Sequence, residues 1–123
     1  RNHSGRRCYN RRMTFNEYQA AALKTALKSY DDPILQNSIW VMGIAGESGE
    51  IVEKWKKSVA YRQGNFSKEE FTDFSKELAD VIWYIAVLAD SLDLKLDDLM
   101  QANVAKLADR QKRGVIKGAG DNR

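Results

Sequence analysis

At 123 residues, 43% hydrophobic and 30% charged, the chain is long enough for one compact domain and too short for two. The formal charge of +3 hints at nucleic-acid binding until the charges are placed: residues 1–12 hold five arginines (Arg1, Arg6, Arg7, Arg11, Arg12) and no acid, so residues 13–123 carry 15 basic against 17 acidic groups, a net of −2. No nucleic-acid partner is expected of so mildly acidic a body, and the longest apolar run, Val81 to Ala89, falls far short of the roughly 18 to 20 residues that cross a bilayer.

The opening RNHSGRRCYNRR has no apolar periodicity, so residues 1–12 are expected to be a disordered or artificially appended tail. It lacks the pattern of a secretory signal, and Cys8 is the single cysteine, which makes a reducing cytoplasm the default location. From Thr14, the residues Phe15, Tyr18, Ala22, Leu23, Ala26 and Leu27 recur at three- and four-residue steps and predict a first helix to about Ser29. Asp31, Asp32 and Pro33 break that pattern, because proline lacks an amide hydrogen and pushes its predecessor out of the helical region.

A second helix is predicted from about Leu35 to Tyr61, although it contains Gly43, Gly46 and Gly49, each costing about 1 kcal/mol relative to alanine. Either a neighbouring helix packs closely there, or the missing side chains leave room for a ligand beside Glu47 and Glu50. After a connector at Arg62 to Phe66, the S-x-x-E capping box of Ser67 and Glu70 opens a third helix that runs to about Leu92. A short turn at Asp93 to Lys95 leads to a fourth, striped by Leu96, Leu99, Met100, Val104 and Leu107 and ending before Gly114. The expected layout is an all-α four-helix bundle over residues 13–114 with a loose tail at 115–123.

The most informative segment is KELADVIWYIAVLADSL, where Leu78 to Ala89 is apolar at every position except Asp80. A helix apolar on all sides is buried on all sides, which predicts Asp80 at or near the core, where an ionised carboxylate is expensive unless paired or bound to a cation. Glu77 lies three residues earlier on the same face, and the second helix repeats the arrangement with Glu47 and Glu50. If the two helices pack antiparallel, four carboxylates meet in one pocket and repel one another by several kcal/mol without a cation. Oxygen-only donors suit a hard ion, and Mg²⁺ takes a few carboxylates together with waters and phosphates.

Other chemistries fail on the residues. A di-iron carboxylate site needs Glu-x-x-His pairs, and the only histidine is His3. GIAGESGE lacks the Gly-Lys-Ser/Thr ending of a phosphate-binding P-loop, and Ser48 lacks the spacing of a nucleophile elbow. Metal-activated water is the chemistry that remains.

The combination Glu47-x-x-Glu50 and Glu77-x-x-Asp80, with TFNEYQ, GIAGESGEIVEKWKK, KELADVIWYIAVLAD and NVAKLADR around it, resembles the MazG-like pyrophosphohydrolases over about residues 13–113. That resemblance implies hydrolysis of a nucleoside triphosphate to the monophosphate and pyrophosphate, an all-α fold shared with dimeric dUTPases, and a homo-oligomer. It implies Mg²⁺, with Mn²⁺ as a substitute, held by Glu47, Glu50, Glu77 and Asp80, and either Glu47 or Glu50 as general base. Lys54, one turn past Glu50, can stabilise the departing pyrophosphate. By similarity, Asn103, Lys106, Arg110 and Arg113 would reach the triphosphate or sugar, and Gln19, Trp55 and Tyr84 would form the base pocket. The apolar circumference of the third helix exceeds what one such layer buries, which predicts a homodimer or homotetramer. A competing reading makes the chain a non-catalytic helical interaction module, its acids spent on salt bridges to Lys54, Lys56, Lys57 or Lys76.

Overall fold

The computed structural model describes residues 11–118 and Gly120; positions 1–10, with His3 and Cys8, and positions 119 and 121–123 lie outside them, so the tails expected there are not addressed by it. Four helices and no strand occur among the described residues: α1 (Phe15–Leu23), α2 (Pro33–Arg62), α3 (Lys68–Ser91) and α4 (Leu96–Lys112). The all-α expectation holds, with two adjustments at the start of the chain.

Helix α1 opens on a capping box in which the Thr14 hydroxyl accepts from the Glu17 amide and the Glu17 carboxylate accepts from the Thr14 amide. It closes at Leu23, not Ser29. The amides of Lys24, Thr25 and Ala26 bond carbonyls three residues back rather than four, and the Thr25 hydroxyl donates to the Ala22 carbonyl, which tightens the last turn and ends the helix. The break at Asp32 and Pro33 is a beginning: Asp32 accepts from the amides of Ile34 and Leu35, while Pro33 occupies the first helical position, where no amide is missed. Ser67 and Glu70 form the predicted capping box of α3.

Helices α2 and α3 form a long antiparallel hairpin, as the facing pairs Trp40 with Trp83, Glu47 with Glu77, and Ser58 with Glu70 require. Helix α1 packs on α3, and α4 packs on α1 and α3 without approaching α2, so the four helices form an open arrangement rather than a closed square. The core is Ala22, Trp40, Ala86, Val87 and Leu96, ringed by Tyr18, Trp83, Tyr84, Leu88 and Met100. Burial of each large apolar side chain there contributes about 1.5 to 3 kcal/mol. A second aromatic cluster, Trp55, Phe66, Phe71 and Phe74, closes the turn end of the hairpin.

The expectation that α3 is buried on every side fails in the single chain. Leu78 is 53% exposed, Ile82 is 47% exposed, and Asp80 is exposed rather than in the core. The hairpin and α1 cover the Phe74–Ala86 and Val87 side of α3 only, which leaves the Leu78–Ile82 face uncovered. No helix among the described residues is long and apolar enough to cross a membrane.

Candidate metal centre

Two turns of antiparallel helix build the site. Glu47 extends from α2, and Glu77 and Asp80, three residues apart, extend from one face of α3. One carboxylate oxygen from each lies within 4.8 Å of the others, with Glu47 and Glu77 half-buried and Asp80 at the exposed rim. The Glu47 carboxyl is held above its ordinary range, first by burial, then by the charges of Asp80 and Glu77, which also approaches it within hydrogen-bond reach. Carboxylates so placed carry an excess of negative charge. A hard divalent cation fits this set of three oxygen donors with open positions toward solvent, and no nitrogen or sulfur donor competes for it.

Glu50, predicted as a fourth ligand, stands outside the trio. It is exposed, one turn further along α2, and adds the smallest of the charge effects felt by Glu47. The position closest to Glu77 is taken by Lys54, whose ammonium pairs with the Glu77 carboxylate and is thereby held above its usual range. Among the described residues, Glu47, Glu50 and Asp80 have no basic partner, so salt bridging accounts for one of the four acids. Lys56 and Lys57 both turn to Glu53, and Lys76 to Asp73.

The three glycines of α2 divide. A methyl on Gly43 would overlap the ring of Tyr84, so this glycine permits close packing, whereas Gly46 and Gly49 face open space on either side of Glu47. Tyr84, one turn beyond Asp80, is thus wedged against α2 and meets Trp83 edge to face at 4.9 Å. Tyr18 of α1 lies within electrostatic reach of Asp80; burial first, and that charge second, raise the affinity of its phenol for its proton. No spacing along the chain marks this neighbour, which arrives only through the packing of α1 on α3.

Gln19 is corrected outright as a base-reading residue. It is 3% exposed, and its amide donates to the carbonyls of Ala86 and Leu94 and accepts from the Leu96 amide, stitching α1 to the α3–α4 junction. Beside it, the Asn16 side chain accepts from the Asp97 amide while Asp97 accepts from the Asn16 amide. Trp55 stacks against Phe66 at 4.4 Å in the turn-end cluster. Asn103 and Lys106 line a groove of about 520 Å³ with Asp93, Lys95 and Asp98, which contains none of the four acids. Arg110 is buried near the end of α4, and Arg113 caps that helix and pairs with Asp109 at 2.7 Å. The predicted polar stripe exists on α4, yet within one chain it is not brought to Glu47.

Among the described residues, then, the regular structure is all helical and carboxylates converge from an antiparallel pair of helices, an arrangement able to hold a hard cation. Residues 37–115 match the family model described as MazG nucleotide pyrophosphohydrolase domain. The chain is 44% identical over 114 residues to the Gene 37 protein of Mycobacterium phage L5, which covers 90% of this chain and 100% of that protein. No solved structure matches. The chain belongs to the MazG nucleotide pyrophosphohydrolase family.

Proposed function

We propose that the protein hydrolyses nucleoside or deoxynucleoside triphosphates to the monophosphate and pyrophosphate in nucleotide-pool housecleaning in the cytoplasm. The observation that carries this reading is the convergence of Glu47, Glu77 and Asp80 from two helices that the family match spans. These three carboxylates would hold Mg²⁺, or Mn²⁺ in its place, which when bound neutralises phosphate charge and acidifies nearby water.

Water attacks the α-phosphorus, the bond to the bridging oxygen of the β-phosphate breaks, and pyrophosphate leaves with that oxygen and its electron pair. Of the two glutamates able to take the proton of the attacking water, Glu50 is the one not needed to bring three donors together, and we assign it the role of base. Lys54, already beside Glu77, supplies positive charge to the leaving group. Tyr84 and the open flank at Gly46 and Gly49 bound the space left for the rest of the nucleotide.

The exposed apolar residues Phe15, Leu78 and Ile82, and Val104 and Leu107 on the outer half of α4, support assembly as a homodimer or homotetramer, in which the exposed Asn103 and Lys106 of α4 would meet a triphosphate bound on another copy. Sedimentation as a monomer at micromolar concentration contradicts that assembly. The activity is tested by incubating a panel of NTPs and dNTPs with Mg²⁺ and measuring pyrophosphate. Turnover unchanged by both Glu50→Gln and Asp80→Asn rejects the site.

A further inference from the structure

Helix α2 is 30 residues long and lies along α3, and the side of it turned away from α3 meets no other helix. The α3 side carries Trp40, Gly43, Glu47 and Lys54. The opposite side has a pattern of its own. From Ile34 to Val59, at alternating steps of four and three residues, every position is uncharged, in a chain whose residues are 30% charged. Ile34 is 77% exposed and Val52 65% exposed, and Val41, Trp55 and Val59 are half exposed. The polar members of the stripe are two serines, and the Ser38 hydroxyl already donates to the Ile34 carbonyl at 2.7 Å, so it can be covered without losing a partner.

Alternating steps of four and three are the heptad repeat of a helix that pairs with another helix, and a run of about four heptads is long enough to mark one. At the N-terminal end of the stripe, Ile34, Asn37, Ser38, Val41 and Met42 line one groove. Its first four members stand at i, i+3, i+4 and i+7, the hole that receives a side chain from a facing helix.

The order of side chains identifies that helix. Turned end for end about a point between Gly46 and Glu47, the stripe matches itself: Ile34 falls opposite Val59, Ser38 opposite Trp55, Val41 opposite Val52 and Ala45 opposite Ser48. The largest residue meets a small one, and the centre is small on both sides, which lets two helices approach closely. Three residues beyond either end stand Asp31, next to the cap, and Arg62, in the last turn, which the same rotation brings together as opposite charges. Asp31 is exposed, and Arg62, although it holds Glu70, keeps further guanidinium hydrogens to donate.

We propose that the outer face of α2 docks antiparallel on the same face of a second copy of this chain, about a twofold axis. The docking is independent of the hydrolysis and adds a second interface to the one proposed on Phe15, Leu78 and Ile82. Each copy offers a strip of roughly 38 Å by 10 Å, a footprint of about 400 Å² against the about 800 Å² per partner of a standard interface. The contact therefore joins pairs of chains already held through α3 and α4 into a tetramer. Glu47 reaches Glu77 on the α3 side of the helix, so the carboxylate trio stays uncovered.

The test is sedimentation velocity of the whole chain at micromolar concentration, with the wild type compared to Val41→Lys and Val52→Lys. Both valines are exposed in the single chain, so either lysine leaves the fold intact, which far-UV circular dichroism checks. The expected result is four copies for the wild type and two for each variant, a twofold loss of mass. The register is read with a short thiol-reactive cross-linker in a Cys8→Ser background. Val41→Cys combined with Val52→Cys should join two copies, and Val41→Cys alone should not. Equal mass in all three proteins, no cross-link from the combined variant, or a cross-link from Val41→Cys alone, which requires parallel helices, overturns the proposal. A monomeric wild type overturns it together with the α3–α4 face and leaves the stripe to a tail of this chain or to another protein. None of these outcomes bears on pyrophosphate release, which is measured separately.

Discussion

Replacing Glu47 with glutamine is expected to strengthen the metal-free protein while removing its response to Mg²⁺. Glu47 brings a carboxylate oxygen within 4.8 Å of those of Glu77 and Asp80. Two unit charges at that separation repel by about 0.9 kcal/mol in bulk water and about 3.5 kcal/mol at an effective dielectric of 20. Asp80 is exposed and Lys54 already offsets Glu77, so screening places the relief near the lower figure, about 1 kcal/mol. For a chain of this size that corresponds to a rise in Tm of roughly 3 to 6 °C. Differential scanning calorimetry in EDTA measures it, and a second scan at saturating Mg²⁺ measures the loss of ligand stabilisation, which at ten times Kd amounts to about 1.4 kcal/mol in the wild type. The pH dependence has a fixed sign. Because the folded protein holds the Glu47 proton more tightly than the unfolded chain does, it binds more protons between the ordinary and the raised value, and metal-free stability falls as pH rises through that window. A Glu47→Gln protein that melts lower in EDTA, or that still gains the wild-type increment from Mg²⁺, refutes the reasoning.

Glu50→Gln should keep the Mg²⁺-induced rise in Tm and lose turnover, since Glu50 stands outside the trio; loss of both makes it a ligand instead. Gly43→Ala is expected to cost about 1 to 3 kcal/mol in urea unfolding because its methyl overlaps Tyr84, while Gly46→Ala and Gly49→Ala, facing open space, should each gain up to about 1 kcal/mol. Gln19→Ala removes the partner of the buried Leu96 amide and of two carbonyls, and should destabilise by at least about 2 kcal/mol without altering KM in the folded fraction.

Periodicity and capping residues carry local information, which is why the helices starting near Thr14 and Ser67 and the acid pairs at 47, 50, 77 and 80 were readable along the chain. What sequence could not convey depends on which faces meet. The early end of α1 follows from Thr25 and the tightened turn there, and Pro33 acts as a helix start because Asp32 precedes it with a capping carboxylate. The exposure of Asp80 contradicts a rule that equates an apolar circumference with burial, because a single chain covers only part of α3. Gln19 looked like a ligand-reading amide until its three backbone partners, all more than 60 residues away along the chain, were in view.

The most direct measurement is the anomalous scattering of Mn²⁺ in crystals of the wild-type protein. The account predicts a peak bounded by Glu47, Glu77 and Asp80, with carboxylate oxygens at roughly 2 to 2.2 Å. Mn²⁺ seated elsewhere, with these three carboxylates untouched in a protein that Mn²⁺ activates, would contradict it.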